Sequence, residues 1–412
     1  MKIAVIGLGY VGLPLALSLS HHYDVVGFDI KKDRVDGLRN GEDLNLEFSE
    51  TEIRSSRSLF TTSIEEIKDC NVFIVTVPTP VRASKEPDLT PLIESSEMLS
   101  RILKNGDIVV YESTVYPGAT EEVCIPILSK GSGLTLGENF SVGYSPERVS
   151  PADKQHSVHN TKKIISASDE RTLEILNEVY SKVVSAGVYL APSIKVSEAA
   201  KILENIQRDV NIALINECST IFNLMNIDTS EVLDAASSKW NFVPFQPGLV
   251  GGHCIGVDPY YLIHKSASLG FTPKLMIESR SVNESVPDRL VYTVLNHLQS
   301  NFISLKDSRI GLLGLTFKEN CPDVRNSKSL ELEEKLKNLT PSVFSSDPFV
   351  NTSVQLKDLD VLIVAVAHEE YLSYSPEYLR SLMRGNTPLL VDVKSIYSRS
   401  ALENLDFNVF RL

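Results

Sequence analysis

The chain of 412 residues has 42% hydrophobic and 23% charged residues, a composition typical of soluble globular proteins. This length exceeds what one ordinary core needs and predicts two or three domains. A net charge of −13 without basic tracts argues against nucleic acid and anionic membranes as partners. A phosphorylated small substrate is still compatible with this charge, because a few local Lys and Arg residues suffice to bind it.

The five cysteines are scattered and odd in number, and no CxxC pair suggests a metal site. This pattern predicts reduced thiols and a cytoplasmic protein. Glycines and a proline interrupt the apolar N-terminus, and no apolar run reaches the ~18 residues of a membrane span.

A dinucleotide-binding pattern opens the chain. A buried-strand pattern at residues 2–6 leads into the sequence GLGYVG at residues 7–12, a helical pattern follows, and a second strand ends at Asp29. In this context the glycines allow a tight turn and close approach of a pyrophosphate, and the acid is placed to bond ribose hydroxyls. NAD is therefore favoured over NADP, although the basic residues at 31, 32 and 34 leave NADP open. The candidate cofactor residues here are Gly7, Gly9, Tyr10, Val11, Gly12, Asp29 and Arg34.

Polar residues recur where further predicted strands end. Thr79, Thr114 and Glu147 each follow a buried-strand pattern. Open α/β sheets bind ligands at the carboxyl ends of their strands, so these three are candidate site residues. Taken singly, each is as easily explained as a cap or turn residue.

A long helix is predicted from Lys195 to about Asn226, where apolar residues recur at helical spacing without Gly or Pro. At 1.5 Å per residue it is roughly 45 Å long, and we expect it to span domains and contact a partner subunit. Lys201, Asn205 and Arg208 share one face of this helix. That stripe is either a solvated face or a polar wall directed at a substrate.

The loop at residues 251–259, GGHCIGVDP, places Cys254 and Asp258 among three glycines and a proline. Such a loop is poorly suited to a hydrophobic core and well suited to present a nucleophile, because glycines let the backbone approach a ligand. The alternative is that Cys254 only fills space, as buried cysteines often do.

The C-terminal region repeats the first in outline. Strand patterns near residues 309–315, 343–348, 361–366 and 389–393 predict a second doubly wound unit without the full glycine fingerprint. Lys318, Arg325 and Lys394 are candidate phosphate contacts, or else surface charges. The predicted domains are 1–192, which carries the dinucleotide-binding pattern, 193–299, a central helical domain carrying the cysteine loop, and 300–412, the second doubly wound unit.

In combination these segments resemble the UDP-glucose/GDP-mannose dehydrogenase family along essentially the whole chain. Within it they are similar to the branch that oxidises UDP-N-acetylhexosamines for O-antigens and the Vi capsule. The sequence departs from the UDP-glucose branch at Val257, where that branch has Lys, and at Pro151, where it has a second glutamate. The matching stretches are residues 7–14, 77–80, 112–118, 145–148, 198–205, 245–261 and 316–326.

The resemblance implies an α/β fold with two Rossmann-like domains joined by the long central helix, through which a homodimer forms. It implies that the C6 alcohol of UDP-GlcNAc or UDP-GalNAc is oxidised to a carboxylate with two NAD⁺, through a thiohemiacetal and a thioester on Cys254. UDP-glucose or GDP-mannose is the alternative substrate. A non-catalytic NAD-binding regulatory protein is a remote alternative function. A simple alcohol dehydrogenase would instead release the aldehyde.

The resemblance also implies residue roles. Lys201 and Asn205 stabilise the thiolate and the oxyanion, Asp258 is the general base or positions water, and Glu147 and Thr114 hold or activate the hydrolytic water. Arg208 contacts the acetamido group or the sugar hydroxyls. Thr79, Thr114 and Arg325 complete the cofactor contacts. The implied substrate contacts are Glu147, Arg148, Val149, Lys201, Asn205, Arg208, Phe245, Gly248, Gly252, Phe317, Lys318 and Lys394.

Overall fold

The computed structural model describes residues 1–148, 157–350 and 354–412. The chain divides into two compact units. The first comprises Met1–Glu204 and Tyr260–Thr272, and the second comprises Asn205–Pro259 and Pro273–Leu412. The predicted three-domain boundaries stay a prediction.

The first unit is built on a sheet whose described strands run in the order β3-β2-β1-β4-β5-β6-β7-β8. The first six of these strands have the Rossmann order and pair in parallel, whereas β7 is antiparallel to β6. The strands are β1 Lys2–Ile6, β2 Asp24–Phe28, β3 Leu59–Thr61, β4 Val72–Val75, β5 Asp107–Tyr111, β6 Phe140–Tyr144, β7 Lys163–Ala167 and β8 Val188–Leu190. The helices are α1 Gly12–Leu19, α2 Lys32–Asn40, α3 Glu50–Ser55, α4 Thr90–Ser100, α5 Ile125–Ser132 and α6 Glu170–Ser181, with a π-helical turn Thr120–Cys124 before α5.

Helices cover both faces of this sheet, which explains why its central strands are largely apolar. Along β1, Ile3 and Val5 belong to one hydrophobic core, and Ala4 and Ile6 belong to the other. Successive side chains of a strand point to opposite faces, so a run without polar residues fills both cores.

Four helices occupy the middle of the chain: α7 Ile194–Leu224, α8 Thr229–Ser237, α9 Asp258–Ser268 and α10 Lys274–Ser300. The long-helix prediction is confirmed, since α7 has 31 residues. Residues of α7 up to Glu204 belong to the first unit and the others to the second. None of the helices in the described ranges combines the length and apolar character that a bilayer crossing needs.

The second unit holds a parallel sheet whose described strands run in the order β10-β9-β11-β12-β13. This is the flavodoxin-like order of doubly wound sheets, so the predicted fold class is confirmed. Alternate residues again serve two cores, as Val361 and Leu362 show. The elements are β9 Ile310–Leu313, α11 Lys328–Lys337, β10 Val343–Ser346, β11 Val361–Val364, α12 Glu369–Leu372, α13 Pro376–Ser381, β12 Leu389–Asp392, α14 Arg399–Glu403 and β13 Asn408–Arg411.

Candidate functional site

The glycine-rich loop between β1 and α1 has the geometry of a pyrophosphate cradle. Gly7 has a φ of +94°, which a glycine adopts readily. A Cβ at Gly12 would lie 1.8 Å from the carbonyl oxygen of Gly7, whereas a Cβ at Gly9 would meet no atom within 4 Å. The loop therefore turns tightly, packs closely on the helix side, and leaves open space over Gly9. These residues fit a dinucleotide.

Asp29 and Arg34 hold this loop from the side of β2. The Asp29 carboxylate accepts hydrogen bonds from the amides of Leu8 at 2.8 Å and Lys31 at 2.9 Å. Arg34 is buried, donates from Nε to the Leu8 carbonyl at 2.8 Å, and forms an ion pair with Asp43 at 2.6 Å. The structure thus places Arg34 behind the loop, while Asp29 stays half-exposed at the end of β2.

The loops after β4, β5 and β6 are tied together. Ser113 Oγ donates to the carbonyl of Val77 at 2.6 Å, and Tyr144 donates from its hydroxyl to the carbonyl of Ser113 at 3.1 Å. Thr114 is half-buried beside this junction, and Thr79 is buried after β4. These bonds fix the strand ends on which the predicted polar residues are carried.

Glu147 belongs to a buried charge cluster that the sequence analysis did not identify. Lys163 Nζ donates to Glu147 Oε2 at 2.6 Å and to Glu112 Oε2 at 2.9 Å. The Tyr180 hydroxyl donates to the other Glu112 oxygen at 2.5 Å. Lys201 donates to the backbone carbonyl of Glu147. A lysine directly before two isoleucines at the start of β7 is the sequence signal that marks this cluster.

The pKa values of the two carboxylates in this cluster are shifted in opposite directions. Burial raises the pKa of Glu147, but the charge and hydrogen bond of Lys163 outweigh it and leave this pKa below its ordinary value. For Glu112 burial dominates and raises the pKa despite Lys163. Environments that push two pKa values apart are typical of acid–base sites.

Several predicted substrate residues of the first unit line one small groove. It is formed by Pro146, Glu147, Arg148, Lys162, Ile164, Lys201 and Glu204. Arg148 and Glu204 also form an ion pair across it. Val149, which the sequence analysis placed among the substrate contacts, lies outside the described residues, as does Pro151.

Cys254 sits in a turn that leads directly into α9. Its backbone carbonyl accepts hydrogen bonds from the amides of Val257 at 3.2 Å and Asp258 at 2.9 Å, and Asp258 is the first residue of the helix. Among the five cysteines, all of them in the described ranges, Cys254 alone is exposed. Burial raises the pKa of Cys70 to about 11 and that of Cys124 to about 12, so those thiols are unreactive at neutral pH.

Asp258, Asn205 and Arg208 form a hydrogen-bonded chain in the second unit. Asn205 Nδ2 donates to Asp258 Oδ2, and Arg208 Nη2 donates to Asn205 Oδ1. Arg208 Nε is buried and has no hydrogen-bond partner among the residues that the structure describes. The predicted catalytic residues of this unit are thus brought together, and one guanidinium nitrogen is still available to a ligand.

A groove at the carboxyl ends of β9, β11 and β12 collects the residues predicted to bind the UDP moiety. Phe317 and Lys318 follow β9 and Lys394 follows β12. Lys394 is exposed to solvent where it lines the groove. This is the switch point of the sheet, where doubly wound folds bind ligands. The groove is lined by Leu249, Gly251, Phe317, Lys318, Glu319, Lys328, Ser329, Ala365, Val366 and Lys394.

The glycines before Cys254 fit against this groove. A Cβ at Gly252 would lie 2.6 Å from the Phe317 ring, and one at Gly251 would lie 2.7 Å from the Asn326 carbonyl oxygen. A Cβ at Gly248 would lie 3.0 Å from Lys394 Nζ. Larger residues would displace Phe317 and Lys394, which explains the glycines.

Phe245, Arg325 and two residues of α11 also belong to the second unit. Phe245 is half-buried, and Arg325 is exposed and folds back in a bidentate pair with Asp323. Lys328 and Ser329, at the start of α11, line the groove but were missed. The capping Ser327 before them is a sequence signal for this helix start.

The chain belongs to the UDP-glucose/GDP-mannose dehydrogenase family. The family's NAD binding domain matches residues 1–184, its central domain matches residues 195–285, and its UDP binding domain matches residues 311–399. The predictions of the family and of NAD as cofactor are thereby confirmed, and the protein is an NAD-dependent nucleotide-sugar dehydrogenase.

Individual relatives are similar over nearly the full length. A UDP-N-acetyl-D-glucosamine 6-dehydrogenase from Salmonella typhi is 48% identical over 410 residues, 96% of each chain. Its counterpart from Pseudomonas aeruginosa is 47% identical over 408 residues, again 96% of each. A structure of UDP-D-ManNAc dehydrogenase from Pyrococcus horikoshii, at 29% identity, has a TM-score of 0.92 over 100% of this chain and 99% of that one.

Proposed function

We propose that the protein oxidises the C6 hydroxyl of UDP-N-acetylglucosamine to the carboxylate, with UDP-N-acetylgalactosamine as a further candidate substrate. The observation that carries the proposal is the single exposed thiol, Cys254, placed at the start of α9 beside the hydrogen-bonded Asp258 and Asn205. The relatives from Salmonella typhi and Pseudomonas aeruginosa support this choice of sugar. The uronic acid formed is a building block for surface polysaccharides.

The reaction removes four electrons from the substrate, and hydrolysis of a thioester intermediate then releases the carboxylate. NAD⁺ supplies the hydride acceptor in both oxidations, and the loop at Gly7–Gly12 with Asp29 would hold it. After the first oxidation the Cys254 sulfur adds to the C6 aldehyde, forming a carbon–sulfur bond and a thiohemiacetal. Its oxidation gives the thioester, and water then cleaves the carbon–sulfur bond, releasing the carboxylate and the thiol.

The second unit supports the thiol chemistry in two ways. The N-terminus of α9 favours the anionic form of a sulfur placed before it. The carboxylate of Asp258, oriented by the Asn205 amide, can accept a proton from the thiol or from water. Arg208, with its buried Nε, is the candidate contact to the acetamido group.

Glu147 is the candidate in the first unit for orienting the hydrolytic water. Lys163 keeps its carboxylate ionised, so it can accept a proton from water without first losing one. Lys201 is the candidate for stabilising negative charge on oxygen or sulfur. Both roles follow the family resemblance and the residue chemistry.

We also propose a homodimer formed through α7. Its exposed apolar residues Val196, Leu203, Leu214 and Ile221 recur at spacings that place them on one helix face. Exposed apolar residues repeated along one helix face are typical of a surface that another protein covers.

Counting NADH per sugar tests the proposed reaction. With purified protein, NAD⁺ and UDP-GlcNAc or UDP-GalNAc, we expect two NADH per sugar consumed and little turnover of UDP-glucose. We expect Cys254→Ala to form no uronic acid and no second NADH, because the thiohemiacetal cannot form. Cys218→Ala, which removes a half-buried thiol on α7, is the matched control and should keep the stoichiometry.

Each contrary outcome has a distinct meaning. One NADH per sugar from the unmodified protein contradicts the thioester route and favours a simple alcohol dehydrogenase. Faster turnover of UDP-glucose or GDP-mannose favours those substrates. A protein that binds NAD⁺ and UDP-sugars but oxidises none of them would favour a non-catalytic regulator.

A further inference from the structure

A buried histidine–aspartate pair lies beneath the groove of the second unit. Asp347 directly follows β10, and His368 precedes α12. His368 is fully buried and Asp347 is 4% exposed. The His368 Nε2 lies 3.2 Å from Asp347 Oδ2 and 3.1 Å from the hydroxyl of Thr316. None of these three residues lines the groove, so they can act on a ligand only through the segment that they hold.

The pair holds both ends of the segment that forms one wall of the groove. At its start, Asp347 Oδ2 accepts the amides of Leu315 at 2.6 Å and Thr316 at 3.1 Å. At its end, His368 Nδ1 accepts the amide of Asn320 at 2.9 Å. Because Nδ1 accepts, the proton of the neutral ring is on Nε2, which donates toward Asp347 and Thr316. Between these anchors lie Phe317, Lys318 and Glu319, all of which line the groove.

Thr316 extends this control to the backbone of Lys318. Its hydroxyl donates to the Lys318 carbonyl at 2.9 Å while it lies within hydrogen-bond distance of His368. The segment is therefore fixed at its start, its middle and its end by one buried cluster. A lysine side chain is long and flexible, so a fixed backbone is what gives its ammonium a defined starting point.

Asp347 occupies the same position in its sheet as Asp29 does in the first sheet. Asp29 accepts the amide of Leu8 after β1, and Asp347 accepts the amide of Leu315 after β9. Burial would raise the pKa of Asp347, but His368 and the amides of Leu315, Phe349 and Thr316 outweigh it and hold the pKa at about 2. In the second unit this acid is thus committed to the loop, whereas Asp29 is half-exposed.

We propose that His368 is a positioning residue for the UDP moiety of the substrate: with Asp347 and Thr316 it fixes the wall segment so that Phe317 and Lys318 bind the nucleotide. This inference rests on the proposed function, because it takes UDP as the ligand of the groove. It assigns His368 no contact with the substrate and no part in the chemical steps.

Calorimetric titration with UDP alone tests the positioning role without depending on catalysis. For His368→Leu we expect UDP binding to weaken roughly 10- to 100-fold, about the effect of losing one hydrogen bond to a charged group, because Lys318 is no longer held at the groove. NAD⁺ affinity should be unchanged, and KM for the UDP-sugar should rise while kcat at saturating substrate stays within about twofold.

Gentler variants keep the test decisive if His368→Leu does not fold. His368→Gln retains a donor toward Asp347 but loses the acceptor for Asn320, and Thr316→Val removes only the hydroxyl link to Lys318. Both should weaken UDP binding less than His368→Leu does. Tyr371→Phe is the matched control, because it removes a 2.8 Å hydrogen bond to the Ser346 carbonyl beside the same histidine ring. It should bind UDP normally.

The outcomes separate the two claims. Wild-type protein that binds no UDP contradicts the proposed function. Wild-type protein that binds UDP, together with His368 and Thr316 variants of equal affinity, contradicts the positioning role alone. Parallel loss of NAD⁺ and UDP binding in these variants also contradicts it, since that pattern means general loss of structure.

Discussion

Lys163 is the buried cation on which the carboxylates of Glu112 and Glu147 both depend. Its ammonium pairs with both, at 2.9 and 2.6 Å, and the side chain is 3% exposed. Burial lowers the pKa of Lys163, but the two carboxylates outweigh this and raise it. A single positive charge between two acids leaves the more strongly paired one ionised, which suits Glu147 as a proton acceptor in hydrolysis.

We predict that Lys163→Met destabilises the protein by about 3–5 kcal/mol at neutral pH, because it leaves two buried carboxylates without their cation. In the variant, Lys163 no longer opposes the effect of burial on the two acids, and their folded pKa values rise above the unfolded values. An acid with a raised folded pKa loses stability as pH rises through that pKa. The difference from wild type should therefore shrink as pH falls below about 5, which denaturant unfolding across pH would measure.

Lys162→Met provides the control for this prediction, since it makes the same substitution one residue away at an exposed position. It should change the free energy of unfolding by less than about 0.5 kcal/mol. A constant difference between Lys163→Met and wild type at every pH would show that lost packing, and not charge, causes the effect.

The sequence identified several site residues from their chemistry and local motifs, but it did not identify the residues that they contact from distant parts of the chain. Cys254 and Asp258 are four residues apart in a glycine-rich loop, so the sequence itself brings them together. Lys163 lies 51 residues from Glu112 and 16 from Glu147 in sequence. His368 lies 52 residues from Thr316. Contacts over such separations depend on sheet topology, and a single sequence carries no direct signal for them.

At the scale of elements, the turn from β1 into α1 shows how two glycines of one motif serve different needs. Gly12 packs against the Gly7 carbonyl and the Thr76 hydroxyl, where a Cβ would lie at 1.8 and 2.4 Å. Gly9 borders open space on the side where a pyrophosphate would lie. Gly12 is therefore required by the fold, and Gly9 by the ligand.

Alanine substitutions should separate these two needs. We predict that Gly12→Ala destabilises the first unit by at least about 1–3 kcal/mol through overpacking. Gly9→Ala should fold with nearly wild-type stability but weaken NAD⁺ binding roughly tenfold or more, a cost of at least about 1.4 kcal/mol. Thermal unfolding and fluorescence titration with NAD⁺ measure the two effects. Equal stability of both variants would contradict the assignment.

The hydrophobic pattern of the sequence predicted most helices and strands near the sites. The strands that it did not predict were missed for a physical reason. Continuous apolar runs identified β1, β4, β6 and β11, and the absence of Gly and Pro identified α7. The short strands β7 and β8 were not identified. β7 carries Lys163 at its start and pairs antiparallel with β6. The preceding strands are apolar and parallel and alternate with helices, so they predict neither the composition nor the direction of β7. Its pairing is decided by the rest of the sheet.

At the scale of the whole molecule, α7 buries polar side chains on one face and exposes apolar side chains on the other. Glu198, Lys201, Asn205, Asp209 and Asn216 are at most 6% exposed, although all are polar. The opposite face carries exposed Leu203, Leu214 and Ile221. A helix in a monomer normally buries its apolar face. This arrangement is explained if the buried polar residues are bonded within their own units, as Glu198 is to Gly118 and Asp209 is to Arg280, and the apolar face is covered by a second copy.

The double variant Leu214→Glu/Ile221→Glu should therefore be monomeric. Placing charges in an apolar interface leaves them desolvated and unpaired, which costs several kcal/mol. Light scattering should give a mass near 45.6 kDa for the variant and about twice that for wild type. Leu59→Glu, at a position 64% exposed on β3, is the control and should remain dimeric. A monomeric wild-type protein would contradict the proposed dimer.

The first unit includes a segment that lies late in the sequence, so it cannot finish folding when its N-terminal part has been synthesised. Tyr260–Thr272 belongs to this unit, and within it Tyr261 is fully buried and donates to the Pro80 carbonyl at 2.9 Å. Lys265 pairs with Glu122 at 2.7 Å. At about 5–20 residues per second, a ribosome delivers this segment several seconds after Glu204. The nucleotide-binding unit therefore completes its packing only after part of the following unit has emerged, and a chain arrested earlier leaves the place of Tyr261 unfilled.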